Sequence, residues 1–279
     1  EIVASMFGCK SSACTNQISK GKPLTLDEAK KIFSKGVPSV KSGLGKKVID
    51  TYTYYHERLK SYPKCYRAIH ITQPDILGPY DILNLIIGYE ALSLPHKNAD
   101  LTKYMIDVLT HTCINFRKEI DLLLTDKIND AVFANGLCCG GRILIRASSA
   151  AINLSPEMYE LYEAEPNSCI LSAFSGQGGG SILYPGMPKP WYKNAILDKD
   201  LRCVYYANSD MYNLQEEYAY YKEHNVALVG WGKNQEYSQI RDSIKVSDNG
   251  VPILTGMTLI CKADTLDYGA KLIQAHRYN

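Results

Sequence analysis

The sequence predicts an α+β fold: a helical amino-terminal part, then a mixed, largely antiparallel sheet with short helices. Three observations predict it. Helix caps and helix-period apolar positions fill the chain up to about residue 135. Strand-like apolar runs separated by turn signals follow, and Asp248-Asn249-Gly250 stands between two such runs as a hairpin turn does. The 279 residues are 46% hydrophobic and 22% charged, with no apolar run of eighteen. That composition supports a large core and excludes a disordered tail, a collagen-like fibre and a membrane span. The change in pattern divides the chain into 1–135, helical and basic, and 136–279, mixed α/β, with one continuous domain as the alternative.

Taken in order, Thr25-Leu26-Asp27-Glu28 is a capping box that opens a helix ending near Gly36 and Pro38. Ile49, Tyr52, Tyr55 and Leu59 recur at helical spacing until Pro63. Asp81 to Leu94 forms a third helix, apolar on most sides and closed by Pro95. Leu101, Met105, Val108, Thr112, Phe116, Ile120, Leu123 and Ile128 keep helical steps, which predicts a helix, or two broken near Asp121, from Ala99 to Val132. Beyond Asn135-Gly136, strands are expected at 142–147, 201–207, 226–231, 237–246 and 257–262. Ser155-Pro156 pairs an N-cap with proline at the first helical position, and 214–222 reads as another short helix. Gly176 to Gly180, continuing through Pro185, Pro188 and Pro190, reads as a turn-rich loop; no Gly-Lys-Ser/Thr follows to make it a phosphate loop. Glu160, Glu163 and Glu165 read as a solvated acidic face, and Gln215-Glu216-Glu217 as part of a helix.

Nine cysteines, an odd number, leave at least one thiol unpaired within the chain. Most stand among apolar neighbours, so a reducing, intracellular setting is expected. The stretch from Glu1 to Gly8 lacks the basic and apolar regions of a secretory signal. Neither Cys138-Cys139 nor Cys9 with Cys14 has the second pair a zinc site needs, so no metal and no cofactor is expected.

The net charge of +2 conceals an asymmetry. Residues 1–70 hold 13 Lys/Arg against 5 Asp/Glu, and the remainder 18 against 24. Lys20, Lys22, Lys30, Lys31, Lys35, Lys41, Lys46 and Lys47 form the densest stretch, and Arg58 extends it beside Tyr52, Tyr54 and Tyr55. Lysines displace counterions from phosphate backbones without reading sequence, and tyrosine stacks on bases or fills subunit interfaces. With 21 tyrosines against 5 phenylalanines, these features predict a non-enzymatic, self-assembling protein that coats or packages nucleic acid, as a viral capsid or nucleocapsid does. Its partners would be further copies of itself and nucleic acid bound without sequence preference, with no membrane; its location, the cell interior or a virion.

A different reading starts from His224-Asn225-Val226-Ala227-Leu228-Val229-Gly230-Trp231-Gly232 and, beyond Tyr237, Arg241-Asp242-Ser243. This segment resembles papain-like cysteine peptidases, in which the catalytic histidine opens a strand ending in Val-Gly-Trp-Gly and the next strand delivers asparagine before serine. The resemblance implies His224 as the base and Asp242 as the residue that orients it, with aspartate in place of asparagine. The family's Gln-Gly-x-Cys-Gly-x-Cys-Trp stretch has its analogue in Asn135-Gly136-Leu137-Cys138-Cys139-Gly140-Gly141-Arg142. Aligned on Asn135-Gly136, the catalytic cysteine falls on Gly141; a slip of register gives the set Cys139, His224 and Asp242. A divergent thiol hydrolase, or one that has lost its nucleophile, is therefore the alternative expectation.

Overall fold

The computed structural model describes residues 2–9, 23–69, 71, 73–74, 76–123, 131–132, 138–139, 141–147, 150–184, 199–206, 213–229 and 253–254. Helices α1 (Ile2–Met6), α2 (Leu26–Phe33), α3 (Gly43–Lys60) and α4 (Pro63–Ala68) precede a two-residue strand, β1 (Ile76–Leu77). Helices α5 (Pro79–Ile87), α6 (Glu90–Lys97) and α7 (Ala99–Leu123) follow. The capping box of α2 is complete: Thr25 Oγ1 accepts from the Glu28 amide while the Glu28 carboxylate accepts from the Thr25 amide at 2.8 Å. Gly88, at φ 61°, breaks the expected third helix into α5 and α6, and Pro95 lies within α6 instead of ending it.

The sheet corrects the expected fold class. Strands β1, β4 (Ile143–Arg146), β5 (Gly180–Tyr184), β6 (Leu201–Tyr206), β7 (Ala227–Val229) and β8 (Ile253–Leu254) form one six-stranded sheet in which every pairing is parallel. Each strand lies beside its neighbour in the chain, leaving aside the antiparallel ribbon of β2 (Ala131–Val132) and β3 (Cys138–Cys139). The fold is α/β, with helices at the connections: α8 (Pro156–Tyr159), a π-turn (Glu160–Ala164) and α9 (Glu165–Ser172) between β4 and β5, and α10 (Leu214–Glu223) between β6 and β7. Parallel neighbours need crossovers because a hairpin can only join antiparallel ones. The segment Gly180–Tyr184, expected as loop, is instead a fully buried central strand.

One register row explains what holds the sheet to its helices. Ile76, Ile145, Ile182, Val204, Leu228 and Ile253 are successive cross-strand partners. The first five are buried to 2% exposure or less and join one continuous apolar cluster reaching from Val3 to Leu228. Each such side chain contributes on the order of 1.5–3 kcal/mol. The adjacent residues Leu144, Ser181, Leu183, Cys203 and Tyr205 are buried too but lie outside that cluster, so the sheet has a second covered face. Cys113 and Cys203 are buried. Among the described residues no helix is long and apolar enough to cross a membrane.

Candidate functional site

With every strand of the six-stranded sheet parallel, their carboxyl ends lie along one edge, and the polar side chains there are supplied by several strands at once. On the second face the row of register partners at this edge reads Leu77, Arg146, Leu183, Tyr205, with Val229 and Leu254 at the next two positions. The row one step toward the amino ends reads Leu144, Ser181, Cys203, Ala227. Arg146 is half-buried and supplies the single charge in these rows; Tyr205, two strands away, stands about 10 Å from it.

Behind Arg146 lies a carboxyl pair. The Gly78 amide, just past β1, donates to the Arg146 carbonyl at 3.1 Å. The Tyr80 amide donates to Glu163 Oε2 at 3.2 Å, Asn167 Nδ2 donates to Glu163 Oε1 at 3.0 Å, and the Ala150 amide donates to Asp81 Oδ1 at 3.1 Å. Glu163 is 0% exposed and Asp81 2%. Burial, reinforced by the Asp81 charge, pushes the Glu163 carboxyl up to about 8 against the pull of the Asn167 and Tyr80 hydrogen bonds. The same burial raises the Tyr80 phenol to about 12, with Asp81 and Glu163 adding to it. Glu163 was expected on a solvated face; Glu160 and Glu165 are indeed exposed, but Glu163 falls in the inward series of Tyr159, Tyr162, Asn167 and Ile170. That apolar series was the sequence signal for it. The π-turn itself follows from Pro166, which has no amide to offer the Tyr162 carbonyl and would clash with it in an unbroken α-helix.

A third group closes the carboxyl ends of β5 and β6 on the helix side. Tyr206 Oη lies 2.7 Å from Tyr221 Oη and 3.3 Å from Glu217 Oε2, and the Tyr184 and Tyr206 rings stand 5.9 Å apart. Burial, helped by the Tyr159, Tyr221 and Tyr206 phenols, raises the Tyr184 hydroxyl well above its ordinary value. Glu217, read from sequence as one more helix residue, is 5% exposed and ties α10 to β6.

At the opposite, amino edge, Asp121 Oδ1 lies 2.8 Å from Arg117 Nη2 and 3.2 Å from Arg142 Nε, and Arg117 Nη2 also donates to the Arg142 carbonyl at 2.8 Å. Burial draws the Arg117 guanidinium down to about 10 while Asp121 resists.

The residues singled out from sequence fall elsewhere. Lys30, Lys31 and Lys35 lie on or just past α2; Lys41 precedes α3, which carries Lys46, Lys47 and Arg58. Lys30 pairs with Asp27, Lys41 with Glu119, and Lys46 with Asp50 at 2.6 Å. A shallow concavity of about 430 Å³ along α3 is lined by Lys46, Lys47, Asp50, Thr51, Tyr54 and Tyr55. Lys20, Lys22, Asp242, the strands expected at 237–246 and 257–262 and the Asp248–Gly250 turn lie outside the described residues, and of Cys139 only the strand backbone is described. His224 is exposed in the turn after α10, its Nδ1 2.7 Å from the Tyr220 carbonyl. Of the three hydrolase candidates, only His224 has a described side chain. Among the described residues, no three His, Cys, Asp or Glu side chains cluster in a way that would hold a metal ion.

No family model matches the sequence, and no curated protein matches it. Solved structures do, among them a methyltransferase from Methanosarcina mazei with a TM-score of 0.57 and 12% sequence identity. The likeness covers 87% of this chain and 66% of that one, so the chain spans just under two thirds of that protein's length. At this identity what is shared is the fold, and the chain is similar to that methyltransferase in its α/β architecture.

Proposed function

We propose that this chain is an α/β enzyme that binds a small organic anion, a carboxylate or a phosphate, at the carboxyl ends of its parallel strands. The observation that carries the reading is Arg146: a half-buried guanidinium at the carboxyl edge, in rows otherwise made of aliphatic, small and phenolic residues. Apolar surroundings with one fixed charged donor describe a small-molecule site, and guanidinium matches carboxylate and phosphate with two parallel hydrogen bonds. Sequentially ordered parallel strands favour this edge as well, because it is where barrel-type α/β enzymes assemble their sites on loops over a rigid sheet. In this reading Arg146 grips the anion, Tyr205 offers a hydroxyl to its far end, and Leu77 and Leu183 exclude water. The fold neighbour is a methyltransferase, so methyl transfer is the first reaction to assay.

Calorimetric titration with a panel of small mono- and dicarboxylates, malonate included, and with phosphate tests the assignment. Arg146→Leu should weaken the best binder about 10- to 100-fold, the worth of a charge-assisted pair. Equal affinity in the variant would refute it.

The exposed face of α3 favours a second reading, in which a polyanion such as nucleic acid docks there. Tyr54 and Tyr55 are 60% and 50% exposed beside Lys47, and residues 23–69 carry ten Lys/Arg against four Asp/Glu. Because Lys46 already has Asp50, Lys47 and Arg58 are the cations to neutralise. Lys47→Gln with Arg58→Gln should lower affinity for single-stranded oligonucleotide and reduce its salt slope by about 1.4. An unchanged slope would remove this surface, and the packaging role with it.

A further inference from the structure

We infer that Asp81 and Glu163 form a latch that fixes the turn after β1 and the Ala150 amide beyond β4, and so positions Arg146 between them. The inference rests on Arg146 being the anion-binding group; Asp81 and Glu163 are positioning residues and touch no ligand. The contacts run on both sides of Arg146. On one side Glu163 holds the Tyr80 amide and packs against Gly78, whose own amide bonds the Arg146 carbonyl. On the other, Asp81 holds the amide of Ala150, four residues beyond Arg146. A Cβ at Gly78 would overlap the Glu163 carboxyl, so the turn has no room to shift while that side chain stays in place.

Among the described residues, the groups that act on Glu163 are acidic or neutral. Helix α5 presents the Asp81 carboxyl and the Tyr80 phenol, α7 the Cys113 thiol, and α9 the neutral Asn167; Tyr162 of the π-turn acts on Tyr80. Burial disfavours a second charge there and the Asp81 carboxylate adds to that, so the neutral form of Glu163 is the one the fold holds. The sign follows. Glu163 ordinarily titrates at 4.5, and in the fold it is raised to about 8, so the folded chain keeps a proton that the unfolded chain releases. Stability from this group is complete below 4.5, declines as pH rises through the window, and is gone above about 8.

The experiment is amide hydrogen exchange followed by mass spectrometry on the full chain from pH 6 to 9, corrected for the intrinsic rate, in the wild type and Glu163→Gln. Glutamine is neutral at every pH and keeps an acceptor for the Tyr80 amide. In the wild type, protection of peptides covering Gly78–Asp81 and Arg146–Ala151 should fall by up to about 100-fold across the range; in Glu163→Gln it should hold. Parallel profiles would overturn the latch. Asp81→Asn is the second variant: removing the repelling charge should move the wild-type transition to higher protection at pH 8, and an unmoved transition would again overturn it.

Malonate, whose charge is constant between pH 7 and 9, then reads the positioning role. Its affinity should drop about tenfold over that range in the wild type and stay level in Glu163→Gln. A level wild-type affinity overturns positioning even if the exchange profile behaves as expected. Failure of the Arg146 assignment looks different, since malonate would then be insensitive to Arg146→Leu at every pH while the exchange profiles still separate.

Discussion

Gly78 concentrates the packing argument in one residue. Its φ of −57° suits any amino acid, so backbone freedom is not why glycine stands there. The reason is space, because the Glu163 carboxyl occupies the volume a Cβ would take. Gly141 and Gly179 differ, since both have positive φ, 85° and 68°, and both also press against backbone, of Gly179 and Asp200 respectively. Gly78→Ala should therefore cost about 1–3 kcal/mol, as overpacking does, measured by urea denaturation at pH 6. The origin of the cost is separable. In a Glu163→Ala background the alanine has room, so the second substitution should add little, and the double-mutant cycle should show a coupling of about 1 kcal/mol or more. Additive costs would mean that Gly78 answers to something other than Glu163.

At the scale of elements, most helices were legible, α1 and α4 excepted, and the strand directions were not. Thr25 and Glu28 announce α2, Ser155-Pro156 announces α8, and apolar positions from Leu101 to Leu123 trace α7, because capping and helical period are local properties. Strands β4, β6 and β7 were also found at their places, as apolar runs. Their direction is a different matter. A parallel strand buried on both faces carries no alternation, as Ile143-Leu144-Ile145 shows, and nothing within it tells a parallel partner from an antiparallel one. The Asp248–Gly250 turn pulled the expectation toward hairpins. Strand β5 was lost because Gly179-Gly180 reads as loop, whereas those glycines let the chain enter the sheet against Asp200 and Ile143. The site shared that fate. Arg146 lay inside an expected strand, but its meaning comes from the cross-strand row with Leu77, Leu183 and Tyr205, residues far apart in sequence. Glu163 was hidden by its type: acidic residues three apart on a helix ordinarily face water, and only the burial of Tyr159, Tyr162 and Ile170 turns this one inward.

For the whole molecule, the seam between the helical half and the sheet combines apolar packing with a cluster of charges at the amino edge. The apolar cluster from Val3 to Leu228 passes through both halves, so unfolding should be a single transition. At the amino edge, however, Asp121 of α7 faces two guanidiniums, Arg117 from its own helix and Arg142 just before β4. Two cations share one carboxylate, and Arg117 is fully buried, its charge opposed by burial and sustained first by Asp121. The order of costs follows from that ratio. Arg117→Met leaves a balanced Asp121–Arg142 pair and fills the vacated volume with an apolar chain, so its cost should be small. Asp121→Asn takes the carboxylate away from the fully buried Arg117 guanidinium and should cost about 3–5 kcal/mol. Urea denaturation at pH 7 of the two variants decides the matter: Asp121→Asn should be the less stable by several kcal/mol, with an unchanged m-value. If Arg117→Met were the more damaging, the seam would depend on the hydrogen bond from Arg117 to the Arg142 carbonyl and not on the balance of charge.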